Sequence, residues 1–433
     1  MGQGLKHKDF KFIRSISGIH EYVHKGNGLH VLIAPDHSTP TITLNVVYLV
    51  GSRNEAVGHT GATHLLEHLM FKGSKKFNKK TGKTIDTLVF GMGGMANATT
   101  SFDRTNYFEL IPKERLCELM ELEADRMRNA LITEVDRASE MTVVRNEFEM
   151  GENDPASALE KEVWASAFRE HPYHHPTIGW KSDVENMSIA RLQAFYNEFY
   201  YPNNAYLTLV GDVEVKEGLD QVNKYFGNIK RSTQGIPSMY TTEPAQEGDR
   251  RVVVSRNGEL PIVMMAYKVP PATHKDLYPL TVLASVLGSG RTSRLYRRLV
   301  DGGYASAVSV SNQAFHDGGL FVISATLTKG TSLSTVESLV MSEIVRLATE
   351  SITDEELSRV IYQTKIAQAS LRDGSYALSQ VLTECIAYGD WTITGTFFKN
   401  IERVNKSDIT RVVKEYLKQD TLTVGNFVPK IKM

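Results

Sequence analysis

Residues Ser188–Val213 read SIARLQAFYNEFYYPNNAYLTLVGDV: a helical pattern of apolar residues followed by an extended, β-rich run. Near the far end the chain repeats the arrangement, with SDITRVVKEYL (407–417) ahead of TLTVGNFV (421–428). The two opening serines, Ser188 and Ser407, are 219 positions apart (407 minus 188). A second pair of landmarks keeps the offset to within one residue. The helix starts at Ile132 in "LIT" and Ile352 in "SIT" are 220 apart (352 minus 132). Strand-like runs also open each half, LHVLIAP (29–35) and RRVVVSR (250–256). Unrelated segments would not hold a constant offset, so the chain is read as an internal duplication.

The 433 residues exceed the size at which a single core stops growing, which favours two domains of roughly 200 residues each. The expected fold is α+β, with two tandem, similar domains of strands and packed helices. Residues 1–230 form the first and 251–433 the second. They are joined by a linker, 231–250, near IKRSTQGIPSMYTTEPAQEGD (229–249), whose Pro, Gly and polar content suits a connection.

Charge narrows the classes of partner. Lys and Arg number 49 against 50 Asp and Glu, so no net field draws the chain to nucleic acid or to an anionic membrane. No apolar run approaches the ~20 residues needed to span a bilayer, and MGQGLKHKDFKFIRS lacks the apolar core of a signal peptide. The expectation is cytoplasmic residence as written, or periplasmic residence if a leader has been removed. Cys117 and Cys385 lie far apart and read as small core residues rather than a disulfide or a metal pair.

One segment breaks the likeness of the halves. THLLEHLMFKGS (63–74) puts His64, Glu67 and His68 into an otherwise apolar helix, whereas the matching YPLTVLASVLGSG (278–290) has no His, Asp, Glu, Lys or Arg. Residues three and four apart share a helix face, so His64, Glu67 and His68 project together. Two imidazoles one turn apart can both reach Zn2+, and a carboxylate between them can take a proton from water. This HxxEH order is the inverzincin signature. A catalytic zinc site needs a third protein ligand. ITEVDRASEMTVVRNEFEMGEND (132–154) supplies candidates, because Thr133 suits an N-cap, Met141, Val144 and Phe148 form an apolar stripe, and Glu140 and Glu147 lie two turns apart on nearly one face.

With HLLEH, 78 intervening residues (147 minus 68 minus 1), a Glu in EMTVVRNEFEMGEND, and GGMANATTSFDRTNYFEL (93–110) between them, the chain resembles the pitrilysin/insulinase family of zinc metallopeptidases. It is most similar to the short bacterial members related to mitochondrial processing peptidase. VYLVGSRNE (47–55) and YYPNNAYLTLVGDV (200–213) extend the likeness along nearly the whole chain. The resemblance implies two tandem α/β-sandwich domains, each a mostly antiparallel sheet packed with helices. It implies one Zn2+ per chain held by His64, His68 and Glu147. Glu67 becomes the catalytic general base, and Glu140 a second catalytic-site carboxylate that supports the centre without being a primary ligand. Asn97 and Ala98 become the strand edge that pairs with the backbone of an extended or unfolded peptide. The implied activity is that of a zinc metalloendopeptidase.

The pattern departs from the family at one place. Active relatives use an Arg and a Tyr seven residues apart to hold substrate; aligned on SRLY in SRLYRRLVDGGYASAVSV (293–310), those positions are Val300 and Ala307. The expectation is therefore a catalytic subunit of a heterodimer whose homologous partner supplies the pair, with a homodimer as the other arrangement. Two further classes share parts of the pattern. Structural core subunits of respiratory complexes usually lack members of the zinc set, and a small-molecule lyase with an inverted motif lacks the second half. Elsewhere, HPYHHP (171–176) reads as an exposed loop, and GSGRTS (288–293) as a helix terminator and turn.

Overall fold

A computed structural model describes residues 4–370 and 374–430. From the N-terminus run β1 (Phe10–Ile16), β2 (Ile19–His24), β3 (His30–Pro35), β4 (Thr41–Tyr48), α1 (Ala62–Met70), α2 (Ile85–Val89), β5 (Met95–Thr100), β6 (Thr105–Pro112) and α3 (Leu116–Asn129). Next come α4 (Glu134–Asn153), α5 (Pro155–Ala167), α6 (Lys181–Asn186), α7 (Ile189–Phe199), β7 (Ala205–Gly211) and α8 (Val215–Phe226). The second half contains β8 (Arg250–Asn257), β9 (Ile262–Val269), α9 (Leu277–Gly288), β10 (Ala305–Phe315), β11 (Gly318–Leu327) and α10 (Leu333–Glu350). It ends with α11 (Asp354–Ser370), α12 (Ser375–Ala387), α13 (Ile393–Ile401), α14 (Lys406–Tyr416) and β12 (Leu422–Lys430).

The strands form a seven-stranded sheet, β1-β2-β3-β7-β4-β6-β5, and a five-stranded sheet, β10-β11-β9-β12-β8. Read from the opposite edge, the second sheet repeats the last five strands of the first in order and direction. Each has one parallel pair, β3 with β7 and β8 with β12, and is antiparallel elsewhere. The parallel pairs contain the repeated runs, with His30 opposite Tyr206 in one and Arg250 opposite Thr423 in the other. Two tandem sheet-and-helix domains, the expected fold class, are what the chain forms.

Contacts group the chain into two compact units. The first comprises residues up to Asn146, Pro176–Tyr240 and Ala369–Gly395; the second comprises Glu147–His175, Thr241–Gln368 and Thr396 onward. Within the first, β4 is buried along seven of its eight residues, because both faces of its sheet are covered. One face carries the large apolar core around Leu65, Leu66, Leu69, Met120 and Leu207. The other meets α12, where Asn45 Nδ2 donates to Thr383 Oγ1 at 2.6 Å and the hydroxyls of Thr43 and Ser375 lie 2.8 Å apart. Within the second unit, α5 covers β8, β9 and β12. Gly425 permits that approach, since a Cβ there would stand 2.4 Å from Val163 and 2.9 Å from Leu159.

Candidate metal centre

Helix α1 is short and buries seven of its nine residues, including Glu67, which is 9% exposed. Its N-cap, Gly61, has φ 85° and no side chain to satisfy the first-turn amides. Glu55 does this instead, its carboxylate accepting from Gly61 N–H at 2.8 Å and Thr63 N–H at 2.7 Å. Gly61 must stay small, because a Cβ would meet the Ile178 carbonyl oxygen at 2.5 Å. The helix that presents the histidines is thereby fixed in register.

Helix α4 continues unbroken through Glu140 and Glu147. Ligand atoms of His64, His68 and Glu147 all lie within 4.8 Å of one another, and among the described residues this is the one such grouping of three or more His, Cys, Asp or Glu. Burial first, and then the neighbouring His68, pushes the His64 imidazole down to about 4, so it is neutral and has a lone pair to give. Two imidazole nitrogens and one carboxylate oxygen suit Zn2+ with an open fourth position.

Glu140 touches His68 rather than joining that set. Its Oε2 is 3.1 Å from His68 Nδ1, and its Oε1 pairs with the Lys72 ammonium. Burial works to raise the Glu140 pKa, but the hydrogen bonds from Lys72 and His68 outweigh it and hold the carboxyl below its ordinary value. A carboxylate on Nδ1 favours the tautomer in which Nε2 of His68 carries the lone pair that a metal needs.

Glu67 Oε2 accepts a hydrogen bond from Thr100 Oγ1 at the end of β5. Asn97 and Ala98 lie on the same strand, opposite Phe108 and Tyr107 of β6. Ala98 is buried and Asn97 exposed, as strand alternation requires. β5 is the last strand of its sheet, so its outer edge has no strand partner among the described residues.

In the second unit, Val300 sits in a π-helical turn, Tyr296–Asp301, and Ala307 on β10. HPYHHP is not the exposed loop expected. His171 and His175 are each 2% exposed and Tyr173 is fully buried, because the segment folds into an aromatic cluster with Trp164, Phe168 and Phe315. His171 Nδ1 accepts from Tyr173 N–H at 3.2 Å, and its Nε2 meets Asp317 at 3.2 Å. Both cysteines are free. No helix among the described residues is long and apolar enough to cross a membrane.

Glu55, Lys72 and Thr100 were not singled out by sequence reasoning. Lys72 alone had a signal there, since it continues the four-residue spacing of His64 and His68.

Two family models match the chain, "Insulinase (Peptidase family M16)" over residues 30–181 and "Peptidase M16 inactive domain" over 186–364. The zinc protease PqqE of Helicobacter pylori is 32% identical over 409 residues, covering 93% of this chain and 91% of that protein. The chain belongs to the insulinase family, peptidase family M16. The M16 fold is seen directly in the crystal structure of a protease from Helicobacter pylori, with a TM-score of 0.90, 30% identity and coverage of 95% of this chain and 99% of that one. A more distant M16 relative is the probable mitochondrial-processing peptidase subunit beta of Arabidopsis thaliana, 24% identical and covering 93% of this chain and 77% of that protein. Within this M16 chain, the inactive-domain match begins after His64, His68, Glu140 and Glu147, and takes in α9, which has no charged side chain.

Proposed function

We propose that the chain is a zinc metalloendopeptidase acting on short or unfolded polypeptides, and that it is the metal-bearing subunit of a heterodimer. The observation that carries this reading is the convergence of His64, His68 and Glu147 ligand atoms within 4.8 Å. A divalent zinc ion held there would supply Lewis-acid activation of water and of the scissile carbonyl. Glu67 would take the proton from the attacking water and return it to the leaving amine, while Thr100 fixes one of its oxygens. The outer edge of β5, with Asn97 and Ala98, would pair with extended substrate backbone, which explains a preference for unfolded chains.

Val300 and Ala307, in place of the Arg and Tyr that active relatives use, support the two-subunit arrangement. The test is turnover of a quenched fluorogenic peptide by the purified chain, alone and mixed with homologous chains that lack HxxEH. Activity that rises strongly on mixing supports the division of labour, and full turnover by the isolated chain overturns it.

A further inference from the structure

His64, His68 and Lys72 follow one another at four-residue intervals along α1 and its last turn, which the Lys72 N–H to Leu69 O hydrogen bond (3.0 Å) continues past the helix end. Facing them on α4, Glu140 and Glu147 are seven apart. The lower rung of this ladder is a three-member chain: His68 Nδ1 to Glu140 Oε2 at 3.1 Å, then Glu140 Oε1 to the Lys72 ammonium. Side-chain exposure is 14% for His68, 9% for Glu140 and 28% for Lys72, so the contacts lie below the freely solvated surface.

We propose, on the basis of the zinc-site reading above, that Lys72 is a positioning residue that keeps Glu140 on the His68 imidazole and off the metal. A carboxylate beside a divalent cation is itself a ligand, and Glu140 shares its helix face with Glu147. Lys72 engages one oxygen of Glu140 while His68 engages the other. The carboxylate is then held in the orientation that receives the Nδ1 proton, leaving His68 Nε2 as the metal donor.

The experiment compares Lys72→Met, Lys72→Arg and the nearby exposed Lys75→Met with the unmodified chain. Zinc affinity is read by competition with a chromophoric chelator. The His68 tautomer is read separately by 15N NMR of the zinc-free, 15N-histidine-labelled chain, assigned against His68→Gln. We expect Lys72→Met to lose about tenfold or more in zinc affinity, with Lys72→Arg and Lys75→Met within about twofold of the unmodified chain. In the zinc-free chain, the Nδ1–H form of His68 should give way to a tautomer mixture in Lys72→Met and persist in Lys72→Arg. Unchanged affinity together with an unchanged tautomer in Lys72→Met overturns the proposal, as does an equal loss in Lys75→Met, which would mean a general field effect. If the unmodified chain itself binds no zinc, the metal reading fails, and the tautomer measurement still judges Lys72.

Discussion

Thr100, the last residue of β5, donates its hydroxyl proton to Glu67 on α1. A strand proposed to receive substrate thus also holds the side chain proposed to move the proton. Removing the hydroxyl while keeping the shape should separate binding from chemistry. In Thr100→Val, kcat is expected to fall about tenfold or more, the worth of a hydrogen bond to a charged group, with KM and metal content unchanged. Thr100→Ser should recover most of the loss. Steady-state kinetics with a fluorogenic peptide check both variants, and a Thr100→Val enzyme with full kcat would remove Thr100 from the site.

A buried ionic cluster stabilises the same unit. Arg126 is 2% exposed, lies over the Tyr107 ring at 4.4 Å, and pairs with Glu109 at 3.1 Å and with Glu123. Burial first, and then Glu123, pushes the Glu109 carboxyl well above its ordinary value, which favours its neutral form. Glu109→Gln should therefore change unfolding free energy by only about 1 kcal/mol. Arg126→Met strands Glu123 and should cost about 3–5 kcal/mol. Urea denaturation distinguishes the two, and equal losses would show that Glu109 is ionised.

Acid stability depends on Glu243 in the second unit. Its Oε2 accepts from the successive amides of Arg169, Glu170 and His171 at 2.9, 2.9 and 3.2 Å, and its Oε1 pairs with Lys268 at 2.7 Å. Burial opposes ionisation, but Lys268 and the amides prevail and bring the carboxyl down to about 2, from 4.5 in the absence of these contacts. Since the folded value is the lower one, its stabilisation is complete above 4.5 and is lost as pH falls toward 2. Glu243→Gln should lower Tm at neutral pH and flatten its decline across that acid range. A variant whose Tm keeps the full acid slope would assign the slope to other carboxylates.

The duplicated topology was legible because β7 and β12 are central strands. Such strands need near-continuous apolar runs, and a constant offset between two of them survives changes in side chains. Their parallel partners could be located too, β3 by its buried apolar run and β8, an edge strand, by its run of valines. What α5 and α12 cover was not legible. Helical periodicity shows that a face is buried, but not which sheet buries it. The histidine pair stood out because an ionisable side chain in an apolar helix needs a reason. Glu55 and Thr100 did not, since isolated polar side chains leave no period, and Lys72, though it keeps the spacing of the histidines, has its partner Glu140 on another helix. HPYHHP misled for a related cause. Its prolines indicate irregular backbone, but the aromatic residues that bury it come from Trp164, Phe168 and Phe315, two of them upstream and one more than a hundred positions later.

The most direct test of the whole account is the metal content of the purified chain beside Glu147→Gln and Glu67→Gln. About one zinc per unmodified chain is expected, with most of it lost from Glu147→Gln and all of it kept by Glu67→Gln, whose turnover collapses. Zinc content unaffected by Glu147→Gln would contradict the account.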